Sequence, residues 1–318
     1  MNQVLFDRFG RLRSGWRFAV SMAVFIVAVS LTIPAFRAVT ILLLDEPQQS
    51  LPILTFLSSA ISLTLVLVLS WGCGRLLEHL PFKALGASFT KFWLKDLILG
   101  LLLGAAAVAI AVGIAALFGG LSFEFNDEAG GTILMAALVS LGTFTAGAAF
   151  EEAFARGYIF QTFVRSNLAW LALLLTSAIF ASGHIGNPSS GTFSFVNTFL
   201  AGIWLGAAYL KTRTLWLAFG LHLAWNFVLG TVFGIEVSGL TQLAAYPVLR
   251  EIDAGPEWIT GGKYGLEGGI ACTVALVVST AALWFAPFLK ASDEMAELSS
   301  PPEAGGSTAE GAENAEKS

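Results

Sequence analysis

Charged side chains are scarce in this chain of 318 residues. Asp, Glu, Lys and Arg together make up 12% of the sequence, whereas a soluble domain carries about 25%. Apolar residues make up 56%, and the mean hydropathy is +0.75. This composition excludes an ordinary soluble globular protein and indicates a polytopic membrane protein.

Positive charge and cysteine are also in short supply. The chain has 17 basic and 22 acidic residues, a formal net charge of −5, and no basic cluster beyond its N-terminal segment. These features exclude a nucleic-acid partner. Cys73 and Cys272 are too few for a disulfide framework or a thiolate metal site, so we expect both to be small buried hydrophobic residues.

Long apolar stretches predict an all-α fold, a helical membrane bundle. A helix needs about 20 apolar residues to span the bilayer, and about eight stretches qualify. They lie near residues 18–36, 51–72, 97–118, 132–164, 168–183, 192–210, 214–234 and 268–288. Glycine pairs spaced four apart allow two helix backbones to approach closely in lipid. Two such pairs are expected at helix contacts, namely Gly100 with Gly104 and Gly202 with Gly206.

The stretches divide the chain into six units. These are an N-terminal segment at 1–17, three spans with their loops at 18–130, a core at 131–234, a loop at 235–267, a last span at 268–290 and a tail at 291–318. The loop is rich in Glu, Trp and Pro, which is typical of an interfacial segment. The tail is rich in Glu, Ser, Pro, Gly and Ala, so we expect it to be disordered.

The distribution of basic residues predicts the orientation of the bundle. An even number of spans puts both termini on one side, and cytoplasmic loops collect Lys and Arg. The side of the termini holds Arg8, Arg11, Arg13, Arg17, Arg75, Lys83, Lys91, Lys95, Arg156, Arg165, Lys211, Arg213, Lys290 and Lys317. The other side holds Arg37, Arg250 and Lys263. Both termini and the tail are therefore predicted to be cytoplasmic, and the loop at 235–267 extracytoplasmic.

Two adjacent carboxylates follow the apolar run at 132–150. Glu151 and Glu152 precede Arg156, and the apolar YIFQTFV is expected to continue the same helix. Ionisable groups inside a span are costly, so each one suggests a function. Glu152 and Arg156 stand one helical turn apart and are expected to pair. Glu151 faces another wall of the bundle, where it is suited to act as a general base.

Two of the three histidines also lie within or beside apolar spans. His184 ends the fifth stretch, and His222 lies in the seventh, one turn before Asn226. This spacing puts His222 and Asn226 on one helical face. The third, His79, lies in a basic loop and is expected at the surface. A carboxylate, two imidazoles and an amide supply what peptide hydrolysis by water needs, a base and donors for the oxyanion.

Taken in order, these motifs resemble those of the CPBP family. The motifs are EExxxR from Glu151, FxxxH ending at His184 and HxxxN from His222. The family comprises type II CAAX prenyl endopeptidases and bacterial CAAX-protease-like, bacteriocin-processing and immunity proteins. The resemblance covers about residues 130 to 230, and no motif position departs from the pattern.

The resemblance implies a function and a role for each motif residue. The function is that of an intramembrane endopeptidase, with residues 131–234 as its catalytic core. Glu151 with His184 would activate the attacking water, while His222 and Asn226 would stabilise the oxyanion. Glu152 and Arg156 would hold the shape of the site.

The expected surroundings follow from the same resemblance. The partners it implies are a peptide or protein substrate at the membrane and the lipid bilayer itself. The location, a bacterial inner membrane, is suggested by the plain eight-span architecture. We expect no cofactor. The alternative is zinc, since Glu151, His184 and His222 carry ligand atoms that zinc accepts.

Four other interpretations remain open. The chain could be a catalytically silent immunity or scaffolding protein of the same family. It could be a proton-coupled transporter, although such proteins usually show an internal repeat. The polar groups could simply tie helices together. A serine mechanism would pair Ser182 with His222, but FASG stands where GxSG would be required.

Overall fold

A computed structural model describes residues 2–7, 10–43, 51–241 and 245–301. Helices make up most of this part of the chain. They are α1 (Asn2–Leu5), α2 (Ser14–Leu43), α3 (Leu51–Glu78), α4 (Trp93–Phe118), α5 (Gly130–Ala155), α6 (Tyr158–Val164), α7 (Ala169–Gly183), α8 (Thr192–Thr212), α9 (Trp216–Phe227), α10 (Glu257–Thr260), α11 (Ile270–Phe285) and α12 (Asp293–Leu298). A π-helical turn, Val228–Val232, extends α9.

The predicted apolar stretches all coincide with helices. Five of the described helical segments are long and apolar enough to cross a membrane: α2, α3, α4, α5 continued by α6, and α8. The apolar helices α7, α9 with its π turn, and α11 are shorter, at 10–17 residues. The prediction of a helical membrane bundle is therefore confirmed.

A small sheet corrects the all-α prediction. Strands β1 (Leu121–Phe125) and β2 (Leu249–Asp253) pair antiparallel, with Phe123 opposite Glu251. β1 lies between α4 and α5, and β2 lies in the loop predicted at 235–267. Hydropathy over 20 residues detects helices that cross lipid, and a five-residue strand in a connecting loop escapes it.

Two further expectations differ from the structure. The helix carrying Glu151 ends at Ala155 and a new helix starts at Tyr158. A Cβ at the intervening Gly157 would clash with the carbonyl oxygen of Ala153. The tail also contains a helix, α12, because Met295 is fully buried and Ser292 caps the helix by accepting from the Met295 amide. Residues 302–318 lie outside the described residues.

Glycines determine how closely the helices approach one another. A Cβ at Gly100 or Gly104 would lie 2.5 Å from a backbone oxygen of α9. A Cβ at Gly202 would lie 2.6 Å from the side chain of Ser177 on α7, and one at Gly206 would lie 2.6 Å from Leu173. Both predicted glycine pairs therefore lie at helix contacts, α4 against α9 and α8 against α7.

Three single-residue expectations have mixed outcomes. His79 is exposed, as predicted. Cys272 is buried, also as predicted, but Cys73 is only half-buried, because it lies on α3 between the buried Ser70 and the exposed Leu76.

The bundle has two ends, and each end carries different parts of the chain. One end, which we call the termini face, carries the start of α2 and the segment after α11. Lys95 there donates to the carbonyl of Phe288 (3.2 Å), and Lys211 donates to that of Trp284 (3.0 Å). The opposite end, the sheet face, carries β1, β2 and the α7–α8 connection, whose Asn187 donates to the carbonyl of Ser238 (3.0 Å).

Candidate active site

The two adjacent carboxylates at the end of α5 lie in different environments. Consecutive residues of a helix point about 100° apart. Glu152 faces the interior of the bundle and is 1% exposed, whereas Glu151 is 34% exposed. The sequence predicted this divergence, and it gives the two residues different contacts.

Glu152 is the centre of a buried ionic cluster. Its Oε1 accepts from Nη1 of Arg156 at 3.0 Å and lies 2.8 Å from Nδ1 of His222. The pair expected between Glu152 and Arg156 is therefore present. Arg156 is fully buried; its Nη2 donates to the carbonyl of Gly202 (2.9 Å), and its guanidinium lies 5.0 Å from the ring centre of Phe180.

His222 lies between the two carboxylates. Its Nδ1 faces Glu152, and its Nε2 lies 3.6 Å from Oε2 of Glu151. A hydrogen bond at one ring nitrogen fixes the ring orientation and so determines where the other nitrogen points. Glu152 thus directs Nε2 of His222 toward Glu151.

His184 lies at the C-terminal end of α7, on the side of the cavity nearer the sheet face. Its Nδ1 lies 2.8 Å from the carbonyl oxygen of Phe180, and its ring packs on the Phe180 ring at 4.8 Å. Phe180 in turn packs edge-on against His222 at 6.0 Å. In the described geometry Glu151 makes its ionic contact with His222, so the joint action of Glu151 and His184 on water stays a prediction.

One cavity of about 290 Å³ brings the predicted residues together. Glu151, His184, His222 and Asn226 all line it. His222 and Asn226 share the face of α9 that the spacing of the HxxxN motif predicted. The volume is at the small end of the range for ligand pockets.

Sequence reasoning missed three further residues at this cavity, namely Trp225, Glu267 and Asn197. Glu267, in the turn before α11, lines it and accepts a hydrogen bond from Nε1 of Trp225 (2.9 Å). Asn197 of α8 also lines it and donates to the carbonyls of Glu267 and Gly269, both at 2.8 Å. Trp225 could have been found from its position beside Asn226 in the HxxxN motif, whereas Glu267 has no fixed spacing from any motif.

The positions of the side chains bear on two alternatives raised by the sequence, a serine mechanism and a zinc site. Ser182 is exposed, donates to the carbonyl of Ala178 (2.7 Å) and does not line the cavity. Within the described residues, no three side chains of His, Cys, Asp or Glu are grouped closely enough to hold a metal ion. The zinc set of Glu151, His184 and His222 therefore does not fit this arrangement.

A bundle of apolar helices around a cavity that holds ionisable side chains places the protein in the class of polytopic membrane proteins. Residues 130–228, about a third of the chain, match the family model described as Type II CAAX prenyl endopeptidase Rce1-like. The resemblance seen in the motifs is thereby confirmed over almost the same residues. No curated protein and no solved structure matches the chain. Since this is a family of proteases, the match supports a hydrolase that is integral to the membrane.

Proposed function

We propose that the chain is an intramembrane endopeptidase that cleaves membrane-associated polypeptides with a water molecule activated by Glu151. The observation that supports this most directly is the shared cavity, in which Glu151 lies across from His222 and Asn226. Glu151 takes the proton of the water, and His184 orients that water from the wall of α7. The nucleophile is then water rather than a side chain.

His222 and Asn226 stabilise the oxyanion that forms when water attacks the carbonyl. For this role Nε2 of His222 must carry a hydrogen, and Nδ1 must carry one as well to donate to Glu152. His222 is then an imidazolium, and the site contains two cations, His222 and Arg156, beside two carboxylates. Such a balance is needed where charges are buried, because unpaired buried charge is costly. Donors fixed before the reaction lower the barrier because no reorganisation is required.

The arrangement in the membrane is part of the proposal. We propose eight spans, with α7, α9 and α11 as the three short ones, and both termini on the cytoplasmic side of a bacterial inner membrane. A helix of 15 residues rises about 22 Å, which is less than the hydrocarbon thickness of about 30 Å. Short spans place their polar ends, including His184, below the membrane surface.

The experiment compares the peptides from cells that carry the wild type, the Glu151→Gln variant or a control variant. Glu151→Gln keeps the volume of the side chain but removes the base, so it should abolish cleavage. Glu297→Gln, on α12 at the termini face, changes an exposed carboxylate that does not line the cavity and serves as the matched control. Substrates should stay uncut with Glu151→Gln alone. Identical peptides from all three forms would favour the catalytically silent alternative.

Elemental analysis tests the metal-free mechanism. Purified active protein should contain no stoichiometric zinc, and a strong chelator should leave its turnover unchanged. About one tightly bound zinc per chain, lost on His184→Ala, would refute the mechanism, because a zinc ligand is needed for stoichiometric metal.

A further inference from the structure

The cavity extends toward the sheet face. Its lining includes residues of the two connections that meet there, namely Asn187 after α7 and Ser238 and Glu267 after α9. Along α5 it is lined by Thr143, Gly147 and Glu151, which are spaced one turn apart on the same helical face. The lining thus runs from the sheet face inward to the proposed base.

Gly147 keeps the path to Glu151 wide. It lies one turn before Glu151, and a Cβ built on it would have no neighbour within 4 Å. Gly183, across the cavity on α7, likewise has open space where a Cβ would lie. A side chain at either position would project into space that the native chain leaves free.

A layer of buried polar groups lies between the cavity and the termini face. Beyond Glu151, toward the termini face, Arg156 is fully buried and Gln161 donates to the carbonyls of Leu85 (2.9 Å) and Arg156 (3.0 Å). Nearer still to that face, Arg165 pairs with the buried Glu78 at 3.0 Å. In the described part of the chain, none of these side chains lines the cavity.

The sheet face is strongly acidic. The connections at 119–129 and 233–269 contain eight acidic residues and two basic ones. One of these acids, Glu267, lines the cavity itself. Charge of one sign around a cleft raises the local concentration of the opposite charge and its rate of arrival.

We propose that the substrate is a polypeptide segment with net positive charge that reaches Glu151 from the sheet face, along the Thr143–Gly147 side of α5. This inference rests on the proposed peptidase function and names its substrate class. With the termini in the cytoplasm, the segment is presented on the extracytoplasmic side. A prenylated tail of a cytoplasmic protein would instead reach the termini face, where the polar layer closes the bundle.

Thiol labelling tests the accessible side without requiring catalysis. In a Cys73→Ala, Cys272→Ala background, single cysteines are placed at Gly147 inside the cavity and at Leu240 at its mouth. Reference cysteines replace Asp127 on the sheet face and Lys91 on the termini face, both exposed. Intact cells and inside-out vesicles are treated with small, membrane-impermeant methanethiosulfonates, and the modification is read by mass.

Gly147→Cys and Leu240→Cys should react from the side that labels Asp127→Cys and not from the side that labels Lys91→Cys. A cationic reagent should modify Gly147→Cys about tenfold faster than an anionic one, after each rate is normalised to that of a free thiol. Added salt should reduce this preference.

Labelling of Gly147→Cys from the Lys91 side, or from neither side, would overturn the route. Equal normalised labelling rates for the cationic and the anionic reagent, unchanged by salt, would overturn the positive charge assigned to the substrate. Adding Glu151→Gln to the same background should abolish cleavage and leave the side from which Gly147→Cys and Leu240→Cys are labelled unchanged. A failure of this proposal is therefore distinguishable from a failure of the peptidase function.

Discussion

Replacement of Glu152 by Gln should destabilise the protein far more than the same change at its neighbour Glu151. Glu152 is 1% exposed and receives hydrogen bonds from Arg156 and His222. Gln keeps the volume of the side chain and one acceptor oxygen, but it removes the negative charge. The fully buried guanidinium of Arg156 is then left without its counterion.

The magnitude follows from the burial of that cation. Removal of one partner from a buried ion pair costs about 3–5 kcal/mol, because the remaining charge cannot be solvated. Glu151 is about one-third exposed and lies 3.6 Å from His222, so water replaces its contact. Glu151→Gln should therefore cost about 1 kcal/mol or less.

The assay is unfolding of the purified protein in mixed micelles with increasing mole fractions of a denaturing detergent. The free energy of unfolding is compared for wild type, Glu151→Gln and Glu152→Gln at one pH and temperature. Glu152→Gln should shift the transition strongly, and Glu151→Gln should leave it almost in place while abolishing cleavage. Equal free energies for the two variants, or normal cleavage by Glu151→Gln with loss of cleavage confined to Glu152→Gln, would refute the division of roles.

Four other measurements test separate parts of the structure. Asn226→Ala should lower turnover about 100-fold to 1,000-fold with little change in substrate affinity; an effect on affinity alone would contradict an oxyanion role. Glu78→Gln should cost about 3–5 kcal/mol of unfolding free energy because two buried arginines lose their carboxylate, whereas the exposed pair of Glu294 with a lysine should contribute about 1 kcal/mol or less. Burial and the neighbouring acidic side chains raise the pKa of Glu251 to about 7, so the folded state holds its proton more tightly than the unfolded chain. Stability should then fall as pH rises from about 4.5 to 7, and Glu251→Gln should flatten this dependence; an unchanged pH profile would contradict it. A reporter fused after Lys290 should read cytoplasmic, and a periplasmic signal would remove one span from the proposed count.

The sequence was sufficient for the long apolar helices and for four of the residues that face the cavity, Glu151, His184, His222 and Asn226. Apolar stretches long enough for a bilayer predict helices because an apolar helix is the simplest backbone that satisfies its own hydrogen bonds in lipid. The i, i+4 spacing of His222 and Asn226 predicted one shared face, and the structure places both in one cavity. Local periodicity carries this information because it depends only on the geometry of a single helix.

Only the tertiary structure decided which groups meet. Glu152 and His222 are 70 residues apart, and their 2.8 Å contact depends on how α5 packs against α9. Glu267 reaches Trp225 across 42 residues from a loop that has no motif. The pairing of β1 with β2 and the burial of Met295 in α12 likewise depend on partners distant in the chain. Hydropathy and spacing report what each segment prefers in lipid or water, whereas such contacts arise from the close packing of several segments at once.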